Sequence, residues 1–380
     1  MAADPVDWIA LNLLSCLGPT LKAQAWVRFG DPGEVAHRVP AEDLEELARR
    51  APRELAPRLA EERRQLHARA REEHRRARSA GFVILTADHP KYPRLLSEIS
   101  APPPVLYVHG TLAVDPVRVA IVGSRRATGY GRRVAEELAA GLVRRGAEVV
   151  SGGARGVDAA AHRGALDADG RTVAVLGSGL LDPYPSDHGE LFARVARRGC
   201  VVSEFPLDAP PLPEHFPRRN RLISGLSAAV VVVEAAERSG TLSTANHALE
   251  QGREVLAVPG PVHVLTSEGC HRLIRAGAGL ARGIDDIVDD LPEVYRARLL
   301  PGPSSRDARP LPIPLDSLNE DERTTLLALD PIEPTHLDTL VERVPIGIAR
   351  IQVALFGLEV RGAVDHHPGG FWVARAPARP

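Results

Sequence analysis

Residues 117–157 read VRVAIVGSRRATGYGRRVAEELAAGLVRRGAEVVSGGARGV, and this stretch decides the fold. Two runs of mostly β-branched residues, VRVAIVG and EVVSG, enclose a segment whose apolar residues recur at helical spacing. Each run ends in a glycine, which is typical of the turn that leaves a strand. Strand, helix and strand in this order predict two parallel strands joined by a right-handed crossover.

The same alternation continues along the chain. Further apolar runs, TVAVLG, CVVSE, AAVVVVE and EVLAVPG, are separated by helix-like segments, and GFVIL and VLYVHG precede the first run. Strands that are apolar on both faces and alternate with helices are typical of a parallel sheet covered on each side. The sequence therefore predicts an α/β fold built on a parallel sheet.

The regions on either side of the sheet differ from it in composition. Turn signals such as Gly18-Pro19 separate short helices, and residues 49–79, with eleven arginines against five glutamates, predict a solvated helix with one apolar stripe. Five prolines mark a linker, and the three helices and hairpin beyond it suit a winged helix. The predicted domains are a helical domain at 1–80, the sheet domain at 81–292, the linker at 293–314 and the winged helix at 315–380.

Composition excludes several classes of protein. Of 380 residues, 44% are hydrophobic and 25% are charged, which is an ordinary globular balance. No stretch approaches the roughly 18–20 apolar residues of a membrane helix, and no secretory signal is visible. Cys16, Cys200 and Cys270 lie far apart, which argues against a disulfide framework and a structural zinc site. We therefore expect a cytoplasmic protein that has no membrane contact, metal or cofactor.

Three loops that follow predicted strands have a similar composition and position. They span residues 123–129, 151–158 and 238–244, they are rich in glycine or hydroxyl groups, and each leads into a helix. The carboxyl ends of parallel strands meet at one edge of a sheet, where helix N-termini favour anions. Arg125 and Arg155 add charge-assisted donors at that edge. The loops therefore predict a phosphate-binding rim.

The segment FPRRNR at 216–221 is the sharpest single feature of the sequence. Three arginines and an asparagine at the start of a helix suit contacts to phosphates and base edges. As an alternative, an arginine could tie the loop to a buried carboxylate such as Glu204 or Glu234. This alternative stays open for any one of the arginines, but we do not expect it of all three.

No catalytic constellation can be assembled from these motifs. The first strand of the series lacks a GxGxxG fingerprint and the chain lacks a Walker motif, which disfavours a dinucleotide site and an ATPase. His162 and His247 lie in helix-like segments, where packing is the commoner role. We predict that the protein is not an enzyme.

The chain resembles the DNA-processing protein A family (DprA, also called Smf) over about residues 82–290. The resemblance rests on an ordered series that includes IVGSRRATGYG, VVSGGARGVDAAAH, TVAVLGSGL, FPRRNRLISGLS, VVVVEA and SGTLSTANHALEQGREVLAVPG. The flanking regions resemble a sterile-alpha-motif or helix-hairpin-helix-like domain and the family's optional winged helix. This resemblance implies an extended Rossmann-like fold that binds single-stranded DNA in natural transformation, protects incoming DNA and helps load the RecA recombinase.

The resemblance also implies a homodimer without catalysis. The apolar residues Leu273 and Ile274, near the end of the sheet, give the dimer only modest support because core packing explains them equally well. Carried over position by position, the resemblance implies ten DNA-binding residues: Ser124, Arg125, Gly153, Arg155, Arg219, Asn220, Arg221, Ser239, Gly240 and Thr241.

One loop departs from the family pattern. After Tyr184-Pro185 some members carry a basic residue, whereas this chain has Ser186, Asp187 and His188. This departure puts a contribution from that loop in doubt. Aromatic residues make up only 4% of the chain, so we expect phosphate contacts to outweigh base stacking.

The main alternative function is an enzyme that resembles nucleoside monophosphate phosphoribohydrolases. Those Rossmann proteins use a PGGxGTxxE motif, of which ERSGTLSTANHALE keeps Gly240-Thr241. The glycine pair is missing, and Glu250 lies nine residues beyond Thr241 rather than three. We therefore favour DNA binding.

The C-terminal region is poorly suited to DNA in spite of its winged-helix pattern. Residues 315–380 hold ten acidic residues and six arginines. The candidate recognition helix, GIARIQVALFGLEVRG, offers Arg350 and Arg361 with Glu359 between them. Phosphate contacts supply much of the affinity of such domains, so we predict that this region contacts protein.

Overall fold

The computed structural model describes residues 3–48, 54–301, 315–330, 333–367 and 369–374. These residues fall into two compact units. The first takes the described residues of 1–127 and 131–300, and the second takes those of 128–130 and 301–380.

A nine-stranded sheet forms the centre of the first unit. Its strands are β1 (Val83–Thr86), β2 (Val105–Gly110), β3 (Arg118–Val122), β4 (Glu148–Ser151), β5 (Thr172–Val175), β6 (Cys200–Ser203), β7 (Ala229–Val232), β8 (Glu254–Ala257) and β9 (Gly279–Leu280). Their order is β1-β2-β6-β5-β4-β3-β7-β8-β9. All neighbours from β6 to β9 pair in parallel, while β2 pairs antiparallel with both β1 and β6. The predicted α/β fold with a parallel sheet is confirmed, with an antiparallel pair added at one edge.

Helices cover both faces of this sheet. They are α7 (Arg94–Ser97), α8 (Gly129–Arg144), α9 (Val157–Asp167), α10 (Gly189–Arg198), α11 (His215–Gly225), α12 (Thr241–Glu250), α13 (Glu268–Arg275), α14 (Ile284–Asp290) and α15 (Glu293–Arg296). Alternate residues of β2 enter different cores: Val105 and Tyr107 pack with α9 and α10, and Leu106 and Val108 pack with α11 and α12. This alternation follows from the two-residue period of a strand.

The six helices before the sheet pack on it rather than standing apart. They are α1 (Pro5–Leu13), α2 (Pro19–Phe29), α3 (Pro32–His37), α4 (Ala41–Leu47), α5 (Leu55–Arg63) and α6 (Leu66–Ser79). Trp8 and Leu66 lie in the same core as Tyr107 of the sheet. The side-chain amide of Asn12 donates to the carbonyl of Glu204 (2.9 Å), and the Glu73 carboxylate accepts from the amide of Leu207 (2.7 Å). The boundary at residues 80 and 81, as the edge of an independently folding domain, stays a prediction.

The predicted linker begins later than its composition indicated. Residues 293–301 include α15, and the amide of Leu300 donates to the carbonyl of Arg145 (2.8 Å), so the first unit continues through residue 300. The proline-rich residues 302–314 lie outside the described residues.

The second unit has the elements of a winged helix and a core of its own. Its helices are α16 (Glu320–Ala328), α17 (Leu337–Arg343) and α18 (Ile348–Val360), and its strands are β10 (Thr335–His336), β11 (Val364–His367) and β12 (Phe371–Ala374). The strands form an antiparallel sheet in the order β10-β12-β11. Leu340, Ile351, Leu355 and Leu358 form the centre of its core. In the described part of the chain, no helix has both the length and the apolar character needed to cross a membrane.

Candidate nucleic-acid interface

The strand order of the main sheet reverses at β3. The chain passes from β3 through β4 and β5 to β6 in one direction, and then β7 pairs with the opposite side of β3. Such a reversal leaves a crevice at the carboxyl ends of the strands, where open α/β sheets bind ligands. The loops that follow β3, β4 and β7 lie at this point.

Direct hydrogen bonds join these three loops into one rim. The amide of Val157, at the start of α9, donates to the carbonyl of Ser124 (3.2 Å). The hydroxyl of Thr241 donates to the carbonyl of Gly123 (3.0 Å) and accepts from the hydroxyl of Ser239 (3.0 Å). The structure therefore places the residues predicted from the first and third loops side by side.

The rim needs a glycine where two loops approach most closely. Gly156 has φ +80°, and a Cβ atom there would collide with the backbone of Ser124 and Arg125. Gly153, with φ +70°, lies against the ring of Phe192, and its carbonyl lies 3.0 Å from Nδ1 of the buried His188. Gly153 is itself buried, so its role is to shape the loop.

Arg219 of α11 lies beneath the second loop. Its side chain is buried, and one Nη donates to the carbonyls of Gly152 and Val175. Burial lowers the pKa of Arg219 to about 10, although Asp158 acts in the opposite direction, so the guanidinium stays charged at neutral pH. Burial also raises the pKa of Asp158, whose carboxylate accepts from the amide of Ala154 (3.2 Å).

The other two arginines of α11 pair with the same carboxylate. Arg221 donates to both carboxylate oxygens of Glu204 (3.0 and 2.6 Å), and Arg218 donates to one of them (3.2 Å). Glu204 is 1% exposed and Arg221 is 7% exposed. Burial alone would raise the pKa of Glu204, but the charges of Arg221 and Arg218 outweigh it and hold the pKa below its ordinary value.

The alternative that an arginine of this segment ties the loop to a buried carboxylate holds for two of the three arginines. Arg218 and Arg221 hold Glu204, and Arg219 holds two backbone carbonyls. Asn220 is also nearly buried, and its amide donates to the carbonyl of Gly240 (3.4 Å). The physical reason is that α11 packs against the sheet, so a cluster of polar residues at its start must satisfy buried groups.

A cleft of about 160 Å³ opens at the rim. The guanidinium of Arg125 lies over the ring of Phe216, 4.8 Å from its centroid, and the ring of Tyr184 lies 5.8 Å from Phe216. The full lining comprises Arg125, Arg126, Gly152, Ala154, Arg155, Tyr184, Pro185, Phe216 and Arg219. Arg125 and Arg126 are exposed. The cleft therefore combines positive charge with aromatic surface, which suits phosphates and bases together.

The loop that departs from the family pattern also reaches the cleft. Arg155 donates to both carboxylate oxygens of Asp187 (3.1 and 2.9 Å), so this pair carries no net charge. The hydrogen bond from Arg155 lowers the pKa of Asp187 and keeps it ionised at neutral pH. Tyr184 from the same loop lines the cleft. The loop thus reduces the charge of the rim and adds an aromatic ring to it.

Sequence reasoning did not name Arg126, Tyr184 or Asp158 among the site residues. Tyr184 follows β5, so its position at the carboxyl edge of the sheet was the available signal. Arg126 sits next to Arg125 in the first loop, and Asp158 is the first acidic residue of α9. Ser124, Ser239, Gly240 and Thr241 lie at the rim as partly or fully exposed residues.

Two family models and several known proteins match this chain. Residues 83–292 match the family model described as DNA recombination-mediator protein A, and residues 309–370 match the DprA winged helix domain. Protein Smf of Escherichia coli (strain K12) is 41% identical over 298 residues, which cover 76% of this chain and 76% of that protein. The putative DNA processing protein DprA of Mycobacterium tuberculosis (strain H37Rv) is 41% identical over 283 residues, which cover 73% of this chain and 70% of that protein.

Two solved structures are similar to this chain. The X-ray structure of DNA processing protein A from Streptococcus pneumoniae has a TM-score of 0.65 and 32% identity, and covers 77% of this chain and 99% of that chain. DNA processing protein A from Helicobacter pylori, described with a single-stranded DNA binding mode, has a TM-score of 0.50 and 30% identity, and covers 56% and 97%.

Replacing Glu204 with glutamine tests the arginine anchor. Glu204→Gln leaves the buried guanidinium of Arg221 and the partly exposed one of Arg218 without their counter-charge, so we expect a loss of about 3–5 kcal/mol in the free energy of unfolding. The pKa of Glu204 is lower in the folded chain than its ordinary value of 4.5. Its stabilisation is therefore present above the unfolded pKa and is lost as the pH falls through the folded one.

Urea denaturation from neutral pH down to acid measures both effects. The wild type loses this stabilisation on acidification. In Glu204→Gln, the free energy of unfolding lacks this part of its dependence on pH. The control is Glu190→Gln on α10, which removes an exposed carboxylate. Equal stability of the two variants would show that Glu204 does not anchor α11.

Proposed function

Because the chain belongs to the DNA recombination-mediator protein A family, we propose that it binds single-stranded DNA at the cleft beside β3. The observation that carries the proposal is the exposed guanidinium of Arg125, stacked on Phe216 next to Tyr184. A positive group beside aromatic rings matches the phosphate and base of a flexible strand. The relative from Helicobacter pylori is described as binding single-stranded DNA.

The rim offers several donors to a phosphate backbone. Arg125 and Arg126 supply exposed positive charge, and the N-termini of α9 and α12 supply partial positive charge. The backbone of Gly240 faces open space, because a Cβ atom there would meet nothing within 4 Å. A strand can therefore approach the third loop closely.

The residues of α11 divide into two roles in this proposal. Arg221 and Asn220 position the helix and the third loop through Glu204 and Gly240. Arg219 lines the cleft, and its Nε, although buried, has no hydrogen-bond partner among the described residues. We assign Arg219 a contact with a bound nucleotide, and Arg221 an indirect effect on binding.

The wider role of the protein follows the resemblance to its family. We infer that the chain acts in natural transformation and recombination in the cytoplasm, protecting incoming single-stranded DNA and helping to load RecA as a homodimer. Leu273 is buried, and Ile274 packs against the core of the sheet. These two residues therefore do not support the dimer, which rests on the resemblance.

Substitutions at the rim test the DNA site. We expect Arg125→Ala to weaken binding to oligo-dT and to mixed-sequence strands alike, by roughly tenfold or more (at least ~1.5 kcal/mol), because the variant cannot donate a charge-assisted hydrogen bond to a phosphate. The plot of log affinity against log salt concentration has a negative slope. It should become shallower by about 0.7 for each phosphate that is no longer neutralised. Fluorescence anisotropy over a series of salt concentrations measures both quantities.

The matched control for this test is Arg144→Ala. Arg144 is an exposed arginine at the last residue of α8, the helix that follows the first loop, and lies at the end remote from the rim. The site assignment is wrong if Arg125→Ala and Arg126→Ala bind as tightly as Arg144→Ala.

We propose that the protein acts by binding, without catalysis. His162 is fully buried, its Nδ1 lies 2.8 Å from the hydroxyl of Thr172, and burial lowers its pKa to about 3. It therefore stays neutral and enclosed, which suits packing. Incubation of the full chain with nucleoside monophosphates should release no free base above a protein-free control when followed by chromatography. Turnover in that assay would favour the phosphoribohydrolase alternative.

The winged helix is proposed to contact protein. Both arginines of its candidate recognition helix are paired within the unit, Arg350 with Asp321 (2.7 Å) and Arg361 with Glu322 (3.6 Å). On the outer face of α18, three apolar residues at one-turn spacing are 67–74% exposed: Val353, Phe356 and Val360. Paired charges and an exposed apolar stripe favour a protein surface over phosphate.

The second unit has its own core, so residues 315–380 can be studied alone. We expect this fragment to show no binding to duplex DNA at physiological salt in an anisotropy titration, because its recognition helix has no free arginine in the described structure. Micromolar or tighter binding contradicts the proposal.

A further inference from the structure

Three side chains that can bind metals meet in the helical region, away from the cleft. They are Asp7 on α1, His37 at the end of α3 and His67 on α6. One ligand atom from each lies within 4.8 Å of the other two. Each is thirty residues from the next in the sequence, so no short sequence motif indicates the cluster.

The rings of His37 and His67 make an edge-to-face contact, with their centroids 5.8 Å apart. Among the described residues, no hydrogen bond or ion pair joins the three side chains, although their ligand atoms converge. Nε2 of His37 is buried and has no hydrogen-bond partner in the same part of the chain. A buried polar atom normally finds a partner, so this nitrogen is available to a group that the described residues do not supply.

The donor set indicates which group this is. Two imidazoles and one carboxylate suit borderline divalent cations such as Zn²⁺ and Co²⁺, whereas Mg²⁺ and Ca²⁺ prefer oxygen ligands alone. In a tetrahedral zinc site with bonds of about 2.0–2.2 Å, ligand atoms lie roughly 3.4 Å apart. The triangle therefore needs to contract by up to about 1.4 Å, and the exposed side chain of His67 can supply that movement.

We propose that Asp7, His37 and His67 form a binding site for one divalent transition-metal cation, with solvent completing its coordination. The site joins α1, α3 and α6, which are far apart in the sequence. Asp7 lies on the same helix as Asn12, whose amide holds the carbonyl of Glu204. A metal at this position therefore stiffens the helix that docks the N-terminal region on the sheet.

The protonation of the cluster is compatible with a metal. Burial lowers the pKa of His37, which keeps its imidazole neutral and its lone pair available at neutral pH. Burial and the neighbouring Asp4 raise the pKa of Asp7, while His37 and His67 act in the opposite direction. A cation would favour the ionised form of this carboxylate.

This proposal departs from the expectation of a protein without metal, which rested on the spacing of the cysteines. Cys16, Cys200 and Cys270 are all buried and take no part in the cluster. A site formed by histidine and aspartate from three helices becomes visible only in the folded chain.

Metal titration of the full chain tests the proposal. After treatment with a chelator, the wild type should bind one equivalent of Zn²⁺ by calorimetry, and Co²⁺ should give visible d–d absorption bands. The melting temperature should rise with added Zn²⁺. Loss of a ligand should weaken binding at least as much as loss of a supporting residue, which is about 10–100-fold. We expect this of Asp7→Asn and His67→Ala.

The control variant is His74→Ala, which removes a partly exposed histidine from the same helix, α6. His67 is exposed, so His67→Ala should retain the circular dichroism spectrum of the wild type. The proposal is overturned if the wild type binds no stoichiometric Zn²⁺. It is equally overturned if His67→Ala and His74→Ala bind Zn²⁺ with the same affinity.

Discussion

Glu204 connects two parts of the first unit that the chain builds separately, one through its buried carboxylate and the other through its backbone carbonyl. Its oxygens accept from Arg221 and Arg218, and its backbone carbonyl accepts from Asn12. The carbonyl of Asn12 in turn accepts from Lys22 (2.5 Å), a fully buried lysine whose pKa is lowered to about 7 by burial and by Arg218. Charged groups removed from water are tolerated only when they are paired, so the Glu204 carboxylate and the guanidinium groups of Arg221 and Arg218 depend on one another.

This constraint explains why an arginine-rich chain presents so little free positive charge near its site. The FPRRNR segment is directed inward to satisfy Glu204 and the carbonyls below the second loop. Arg155 is matched by Asp187. At the amino ends of β3 and β4, Arg118 and Arg171 share Glu148. Exposed positive charge at the rim is therefore carried by Arg125 and Arg126 of the first loop and by Arg238 of the third.

The fold could be predicted well from the sequence because its signals are local. Apolar runs that end in glycine predicted the parallel strands and the three loops, and the order of helices and hairpin indicated the winged helix. The direction of each arginine of α11 could not be predicted, because it depends on how the helix is rotated against Glu204, a residue on a different strand end. The same limit applies to Tyr184, which meets Phe216 only in the folded chain, and to His37, whose neighbours come from two other helices.

The contact between Arg125 and Phe216 has a consequence for the way a ligand enters the cleft. The guanidinium covers one face of the ring, so the aromatic surface is already shielded from water on that side. An incoming base that stacks on this face must first displace the arginine, and an exposed cation–π contact of about 0.5–1 kcal/mol opposes it by roughly two- to fivefold in affinity. The displaced guanidinium is then free to meet a phosphate. In the free protein, Arg125 thus competes with an incoming base for the ring of Phe216. On binding, the guanidinium exchanges this ring for a phosphate.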